Sequence, residues 1–321
     1  MFGKYEKEVN TLVDIMKRAI PMTIGIQKRL DFEEVRTKKD GTYVSIADYA
    51  IQSIIMDGIF KNLPGDDCLG EEDCGKLNPY FLSMVKKVLP DGFDPVQACH
   101  KAIFKWGPDN HRVWVIDPID GTAGFVSNGA YAIATALLID MKVACSITAW
   151  PLHDPQYTGL PFEGPAIFIA TDEGLAVAMD MNGNTVDMTK PTCHESGLLT
   201  NGLGRVQAVI KETFRIDNII SMVSMVKGFI LAAGRASVYA RIHKMQEHVW
   251  DVAPFELFVR NCGGTVTDGL GHQLVYLPNG MIKDTEYGIL STMGRQEFHD
   301  KVLATMREGM KNILQIDYWE D

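Results

Sequence analysis

The sequence predicts a mixed chain, α+β in its first part and α/β in its second. Three observations predict it. The first ninety residues carry apolar stripes at helical spacing. Residues 131 to about 184 alternate short apolar runs with turn dipeptides. Beyond about residue 193, strand-like and helix-like segments alternate. A soft boundary near residue 192 divides an N-terminal α+β domain with an antiparallel sheet (1–192) from a C-terminal α/β domain (193–321). A length of 321 residues suits two domains at roughly 150 residues each.

Each element has a local reason. Residues 5–29 put Val9, Leu12, Val13, Met16 and Ile20 on one helical face. KKDGTY (38–43) is a turn or the tip of a hairpin. A second helix starts after Ser45, striped by Ala47, Ala50, Ile51, Ile54 and Ile55, and Leu63-Pro64-Gly65 stops it. A polar acidic stretch fills 65–75, and 76–90 are helical again. Residues 113–116 are a short apolar run followed by a Pro and Gly turn, the pattern of a buried strand entering a tight loop. YAIATALLI, KVACSITAW, AIFIA and EGLAVAM form an antiparallel meander, and Asn182-Gly183 is a hairpin dipeptide. LLTNGL, an amphipathic stretch around 218–234, strand-like 236–242, helical 252–261, GGTVTD and YGILS complete the alternation.

Composition excludes several classes of function. Charged residues are 22% and hydrophobic residues 46%, ordinary globular values. Acidic residues outnumber basic ones, 41 against 31, and the formal charge is −10. A protein of this balance lacks the basic face that nucleic-acid binding needs. The longest uncharged stretch, between Asp120 and Asp140, holds three glycines with Thr122, Ser127 and Asn128, so it is no membrane span. The first twenty residues are amphipathic and carry acids, unlike a signal or transit peptide. Six scattered cysteines without a CxxC pair read as reduced thiols of a cytoplasmic protein.

Four acidic motifs carry the chemistry. The sharpest is Asp117-Pro118-Ile119-Asp120-Gly121-Thr122. Two carboxylates around a turn can share a hard cation such as Mg²⁺, which takes oxygen ligands. The Gly121 and Thr122 N–H groups can face a phosphate if a helix starts there. A capped strand-to-helix turn without a ligand is the plainer alternative. Gly70-Glu71-Glu72-Asp73 is a second acidic site or a solvated loop. Trp250-Asp251 opens an apolar helix that stops at Gly263-Gly264, with Asp251 as its expected N-cap. Ser45-Ile46-Ala47-Asp48 has the form of a capping box.

In this order the four motifs resemble the Mg²⁺-dependent, lithium-sensitive inositol monophosphatase superfamily, and they span about residues 5 to 300. Within it the chain is most similar to the 3′(2′),5′-bisphosphate nucleotidases, which hydrolyse adenosine 3′,5′-bisphosphate (PAP). Asp48-Tyr49-Ala50-Ile51-Gln52 is similar to their D-Y-A-x-Q, and DPIDGTAGF (117–125) to their DPIDGTKGF. Ser224-x-x-Lys227 followed by Tyr239-Ala240-Arg241 looks like their nucleotide-contacting Ser, Lys and Arg. Two features depart from the pattern. Ala123 replaces the Lys, and no Ser-Arg and His segment is visible between Asn201 and Asn218.

The resemblance implies a layered αβαβα sandwich of the inositol monophosphatase and sugar phosphatase type. It implies that Glu71, Asp117, Asp120, Asp251 and the Ile119 carbonyl hold two or three Mg²⁺, and that Gly121 and Thr122 face the phosphate. Asp48 and Thr122 would position and deprotonate a water that attacks in line, with inhibition by Li⁺. No cysteine or serine lies in a nucleophile motif, in keeping with direct attack. Clustered carboxylates need such cations, since at 4 Å and an effective dielectric near 20 each pair costs about 4 kcal/mol. Phosphate monoesters in turn are among the slowest substrates to hydrolyse unaided.

The non-reacting 5′-phosphate needs a positive subsite. Ser224 and Lys227 are three apart in a helical stretch, and Arg241 lies on a strand, where it can bind phosphate bidentately. His243, Lys244 and His248 read as a surface loop. The expected partner is a small nucleotide, PAP or its sulfated relative PAPS, and the chain is a monomer or a homodimer. An inositol (poly)phosphate 1-phosphatase and a non-catalytic metal- and phosphate-binding regulator are the competing readings.

Overall fold

The computed structural model describes residues 1–107, 109–191, 195–242 and 245–315. Helix α1 (Glu6–Gln27) buries Val9, Leu12, Met16 and Ile20, the expected stripe. A short hairpin, β1 (Val35–Thr37) and β2 (Tyr43–Ser45), turns over the KKDGTY segment. Helix α2 (Ile46–Asn62) then begins with the capping box of Ser45 and Asp48. Strand β3 (Asp67–Gly70) lies inside the polar acidic stretch, which carried no strand signal in the sequence. Only four residues long, it is held by parallel pairing with β4 rather than by any apolar alternation of its own.

Helices α3 (Pro79–Lys87) and α4 (Pro95–Ala98) lead to β4 (Arg112–Asp120) and the short helix α5 (Thr122–Val126). The meander follows as β5 (Ala132–Ile139), β6 (Lys142–Trp150), β7 (Ala166–Thr171), β8 (Ala176–Met179) and β9 (Thr185–Asp187), with Gly183 at φ +90° in the last hairpin. These strands make a seven-stranded sheet of order β3-β4-β5-β6-β7-β8-β9, antiparallel except at β3.

The second sheet begins with β10 (Gly197–Thr200), followed by α6 (Arg205–Thr213) and β11 (Asn218–Ser221). The stretch 218–234, expected to be amphipathic throughout, is thus a strand and then helix α7 (Val226–Ala232). Isoleucines 219 and 220 favour an extended chain at the sheet edge. Strand β12 (Val238–Arg241), helix α8 (Val249–Asn261), β13 (Gly264–Asp268), β14 (Ile289–Met293) and α9 (Gln296–Leu314) complete the order. The sheet runs β11-β10-β12-β14-β13, its first three strands parallel.

Alternation along the strands sets the layering. On β4, Trp114 and Ile116 pack with α1 and α2, while Val113 and Val115 pack toward α7 and α8. On β12, Tyr239 joins that same middle layer, while Val238 and Ala240 meet α6 and α9 on the outside. The result is the αβαβα sandwich that the motifs implied. Phe168 of the first sheet stacks on Phe229 of α7 at 4.1 Å and meets Phe258 of α8 edge-on, so one apolar layer ties the two sheets. The boundary near residue 192 falls on residues 192–194, outside the described part. No helix among the described residues is long and apolar enough to cross a membrane.

Candidate active site

The site forms where β3 and β4 end, and β4 makes it possible. Residues three apart on a regular strand point to opposite faces. Pro118 has no N–H to give the ladder, and the register slips there: Asp117 pairs with Ala134 but Asp120 with Ala132. One extra residue on β4 is a bulge, and it reverses the parity of the side chains beyond it. Asp117 and Asp120 therefore turn the same way. Asp117 Oδ1 accepts from Ile119 N–H at 3.1 Å, which fixes the bulge.

Parallel pairing of β3 brings the next carboxylate. Gly70 stands opposite Ile116, and Glu71 N–H donates to the Ile116 carbonyl at 3.0 Å, so Glu71 lies beside Asp117. Asp251 arrives from the second sheet's side. The structure corrects its expected capping role, because α8 starts at Val249 and His248 holds the N-cap position. Asp251 is in the first turn, where a carboxylate suits the positive helix end and its side chain is free to reach the other acids. Oxygen atoms of Asp117, Asp120 and Asp251 all lie within 4.8 Å of one another.

Asp48 and Thr122 meet as expected. The Thr122 hydroxyl lies 3.3 Å from Asp48 Oδ1 and 3.0 Å from the Ile119 carbonyl. The other Asp48 oxygen accepts from Ser45 N–H and Ser45 Oγ, both at 2.7 Å. Capping and the Thr122 contact thus use different oxygens of one carboxylate.

Gly121 joins the two halves. Its φ is +84°, and a Cβ there would stand 2.0 Å from the Val223 carbonyl oxygen. Beside it Asp120 Oδ2 accepts from Ser224 Oγ and Met225 N–H. We expect Gly121→Ala to cost roughly 2 kcal/mol or more, from backbone strain and a clash with main chain that cannot yield. Urea unfolding measures it, and an unchanged midpoint would contradict this packing.

The three expected nucleotide contacts are brought to the cavity but are engaged there. Ser224 precedes α7 instead of sharing a helical face with Lys227, because the helix starts only at Val226. Its hydroxyl serves Asp120. Lys227 is 1% exposed and donates to the Met222 and Ser224 carbonyls, with its ammonium 5.2 Å from the Tyr239 ring centre. Burial lowers its pKa to about 7 against the opposing pull of Asp120. Arg241 forms an ion pair with Glu247 and lies 3.8 Å from Asp251.

Three participants escaped the sequence reading. Lys38, on the hairpin, pairs with Glu71 at 2.6 Å and with Glu72. Glu247 is 3% exposed and faces Arg241. His248 is no mere loop residue: it stacks on Trp250 at 4.6 Å, and its Nδ1 lies 3.7 Å from Asp251. His243 and Lys244 lie outside the described residues. A hairpin tip is a turn by its composition, and nothing in KKDGTY says which way its lysine points.

Electrostatics show an acid cluster short of positive charge. Among the described residues, Asp48, Glu71, Glu72, Asp117, Asp120, Glu247 and Asp251 outnumber Lys38, Lys227 and Arg241. Burial and the neighbouring Glu72 and Glu71 push the Asp48 carboxyl up to about 8. Burial pushes Asp120 up to about 6, with Asp251 adding to it and Ser224 opposing. Asp117 is raised well above its usual range by burial, Glu71, Asp120 and Asp251. Burial also raises Glu71, against Lys38. Asp251 is held low, because Arg241 and His248 outweigh its burial. Oxygen-only donors that resist ionisation together are suited to a hard divalent cation. Glu71, Asp117, Asp120 and Asp251 line a cavity of about 750 Å³, shared with Lys227, Arg241 and Trp250. A second group, Asp268, His272 and Asp284, is already satisfied: Asp268 Oδ1 accepts from Leu270 and His272 N–H, and Asp284 pairs with Lys283.

Comparison with known proteins agrees with this architecture. The inositol monophosphatase family profile matches residues 6–310. A 3′(2′),5′-bisphosphate nucleotidase 2 of Candida albicans is 26% identical over 362 aligned residues, covering 96% of this chain and 98% of its own. A 3′,5′-bisphosphate nucleotidase of Arabidopsis thaliana is 24% identical over 366, covering 94% and 96%. Among solved structures, the IMPase of Thermotoga maritima superposes with a TM-score of 0.65 at 19% identity, covering 95% of this chain and 99% of that one. An IMPase/NADP phosphatase complexed with Mg²⁺ and phosphate gives 0.61 at 17%, covering 94% of each. With its family profile matched over nearly the whole length, the chain belongs to the inositol monophosphatase family.

Proposed function

We propose that the protein is a Mg²⁺-dependent phosphatase that removes the 3′-phosphate of PAP, giving AMP and phosphate. The observation that carries this is the convergence of Asp117, Asp120 and Asp251 in one cavity with Lys227 and Arg241. The relatives named as bisphosphate nucleotidases support the substrate class. Asp117, Asp120, Asp251, Glu71 and the Ile119 carbonyl would hold the cations. When bound, Mg²⁺ supplies charge that keeps the carboxylates ionised, draws in phosphate oxygens and acidifies water.

The chain's own groups do the rest. The Thr122 hydroxyl and Asp48 orient the attacking water in line with the scissile P–O bond and take its proton. Gly121 and Thr122 N–H groups at the start of α5 face the phosphate. Ser224 holds Asp120 in place. Lys227 and Arg241 give up part of their internal contacts to the 5′-phosphate. Millimolar Li⁺ inhibits, because it brings too little charge to the same oxygens. Turnover of PAP, PAPS and inositol 1-phosphate at fixed Mg²⁺ tests the substrate. A large preference for the inositol phosphate would overturn it, and phosphate binding without any turnover would make the protein a non-catalytic regulator.

The carboxyls raised by burial make a pH prediction. Their unfolded pKa values lie near 4. A folded value above that gives stability fully present below about pH 4 and lost as pH rises through the folded value. For Asp120 and Asp48 the loss in metal-free protein runs through about 6 and about 8. Mg²⁺ favours the ionised form, so its thermal stabilisation over EDTA should grow steadily from pH 5.5 to pH 8.5. A Mg²⁺ effect that is flat across this range in melting scans would contradict the assignment.

A further inference from the structure

Cys74 and Cys99 are 25 residues apart, with no spacing that joins them in sequence. The fold brings their sulfurs to 3.1 Å, and the Cys99 thiol donates to Cys74 Sγ. Cys74 is 2% exposed and opens a three-residue 3-10 turn. Cys99 follows the four-residue helix α4 and is only half-buried. An approach of about 1 Å would bring the pair to bonding distance, since S–S bonds are about 2.05 Å long. Both sulfurs sit on short turns rather than on sheet strands, so the backbone can supply that movement.

Cys74 is also tied to the acidic site. It lies three residues beyond Glu71. Between them Glu72 is clamped by Gln52 of α2, whose side-chain carbonyl accepts from Glu72 N–H at 2.9 Å and whose amide donates to the Glu72 carbonyl. Gln52 Nε2 lies 4.0 Å from Cys74 Sγ as well. Glu71 and Glu72 share Lys38. Cys74 and Glu71 thus share one turn, which Gln52 holds at Glu72 and Lys38 holds at the two glutamates.

We propose that Cys74 and Cys99 are a redox modification site, oxidised to an intramolecular disulfide by low-molecular-weight disulfides, and that the bond displaces the turn carrying Glu71 and weakens divalent-cation binding. The second half rests on the cation site proposed above. The accessible Cys99 thiolate attacks one sulfur of RSSR, forming a Cys99 mixed disulfide and releasing RS⁻. Cys74, giving up its proton, then attacks the Cys99 sulfur and releases the second RS⁻. The cysteines lose two electrons and two protons, and RSSR becomes two RSH.

The test incubates the full chain with oxidised glutathione in excess over glutathione, then with dithiothreitol. Intact mass and peptide mapping report the bond, and calorimetric titration with Mg²⁺ reports the site without any substrate. The expected result is a mass loss of about 2 Da in a peptide linking Cys74 to Cys99, reversed by dithiothreitol. Mg²⁺ affinity should fall about tenfold in the linked protein, the scale of disturbing a ligand's supporting contacts. Cys99→Ser, at the half-buried position, should keep the reduced protein's affinity under both conditions. Absence of the linked peptide overturns the modification site. A linked protein that binds Mg²⁺ like the reduced one overturns the coupling. A reduced protein that binds no Mg²⁺ defeats the coupling and the cation site together, while the linked peptide still decides the modification.

Discussion

Asp117→Asn should lower turnover about 10³-fold and at the same time raise the melting temperature of the metal-free protein. Both effects come from the loss of one ionisable carboxyl. Asparagine keeps the size of the side chain and the Oδ1 that accepts from Ile119 N–H, so the bulge survives. What disappears is a buried carboxylate facing Glu71, Asp120, Asp251 and Asp48. Without cations burial and those neighbours force the group to take up a proton, at a cost that grows with pH above the unfolded value, and asparagine avoids that cost. Each kcal/mol of relief raises the melting point by about 1–2 °C in a chain of this length. With Mg²⁺ present the order should invert, since the wild type gains more from the cation. Turnover on PAP together with melting scans in EDTA and in Mg²⁺ checks it. Unchanged turnover would remove Asp117 from the chemistry, and a lower melting point in EDTA would mean that its role is structural.

Asp48→Asn should cut kcat by about 10²- to 10⁴-fold and leave KM nearly unchanged, the range for loss of a positioned proton acceptor. Asp48 is 0% exposed, and its pKa is pushed up to about 8 by burial and by Glu72 and Glu71. Below that value the carboxyl holds its own proton, so it can take one from water only once a bound cation has drawn it into the ionised form. Its two oxygens divide the work, one facing Ser45 at the cap and one facing Thr122. Ser45→Ala separates the roles: it should weaken the start of α2 by about 1 kcal/mol with a much smaller effect on kcat. Thr122→Ala should resemble Asp48→Asn, and the double variant should be little worse than either single one, because the two groups act as a unit. Fully multiplicative losses would separate them.

The parts of the fold that local physics decides could be read ahead of the structure. Helix α1 announces itself by an apolar stripe, α2 by Ser45 and Asp48, and the meander by apolar runs broken at Asn182-Gly183. Strands β3 and β11 could not, because each is a four-residue segment defined by a parallel neighbour. The acids of the site were visible as motifs, yet their convergence depends on a bulge at Pro118 and on a helix beginning two residues before Asp251. Counter-charges were the harder part. Lys38, Glu247 and the internal bonds of Lys227 belong to tertiary placement, and no spacing in the sequence encodes them.

Anomalous difference density from crystals soaked in Mn²⁺, an oxygen-preferring stand-in for Mg²⁺, is the most direct measurement of the shared cation site. A peak bonded to carboxylate oxygens of Asp117, Asp120 and Asp251 together is the expected result. Crystals that turn over PAP but show no peak touching more than one of these three residues would contradict it.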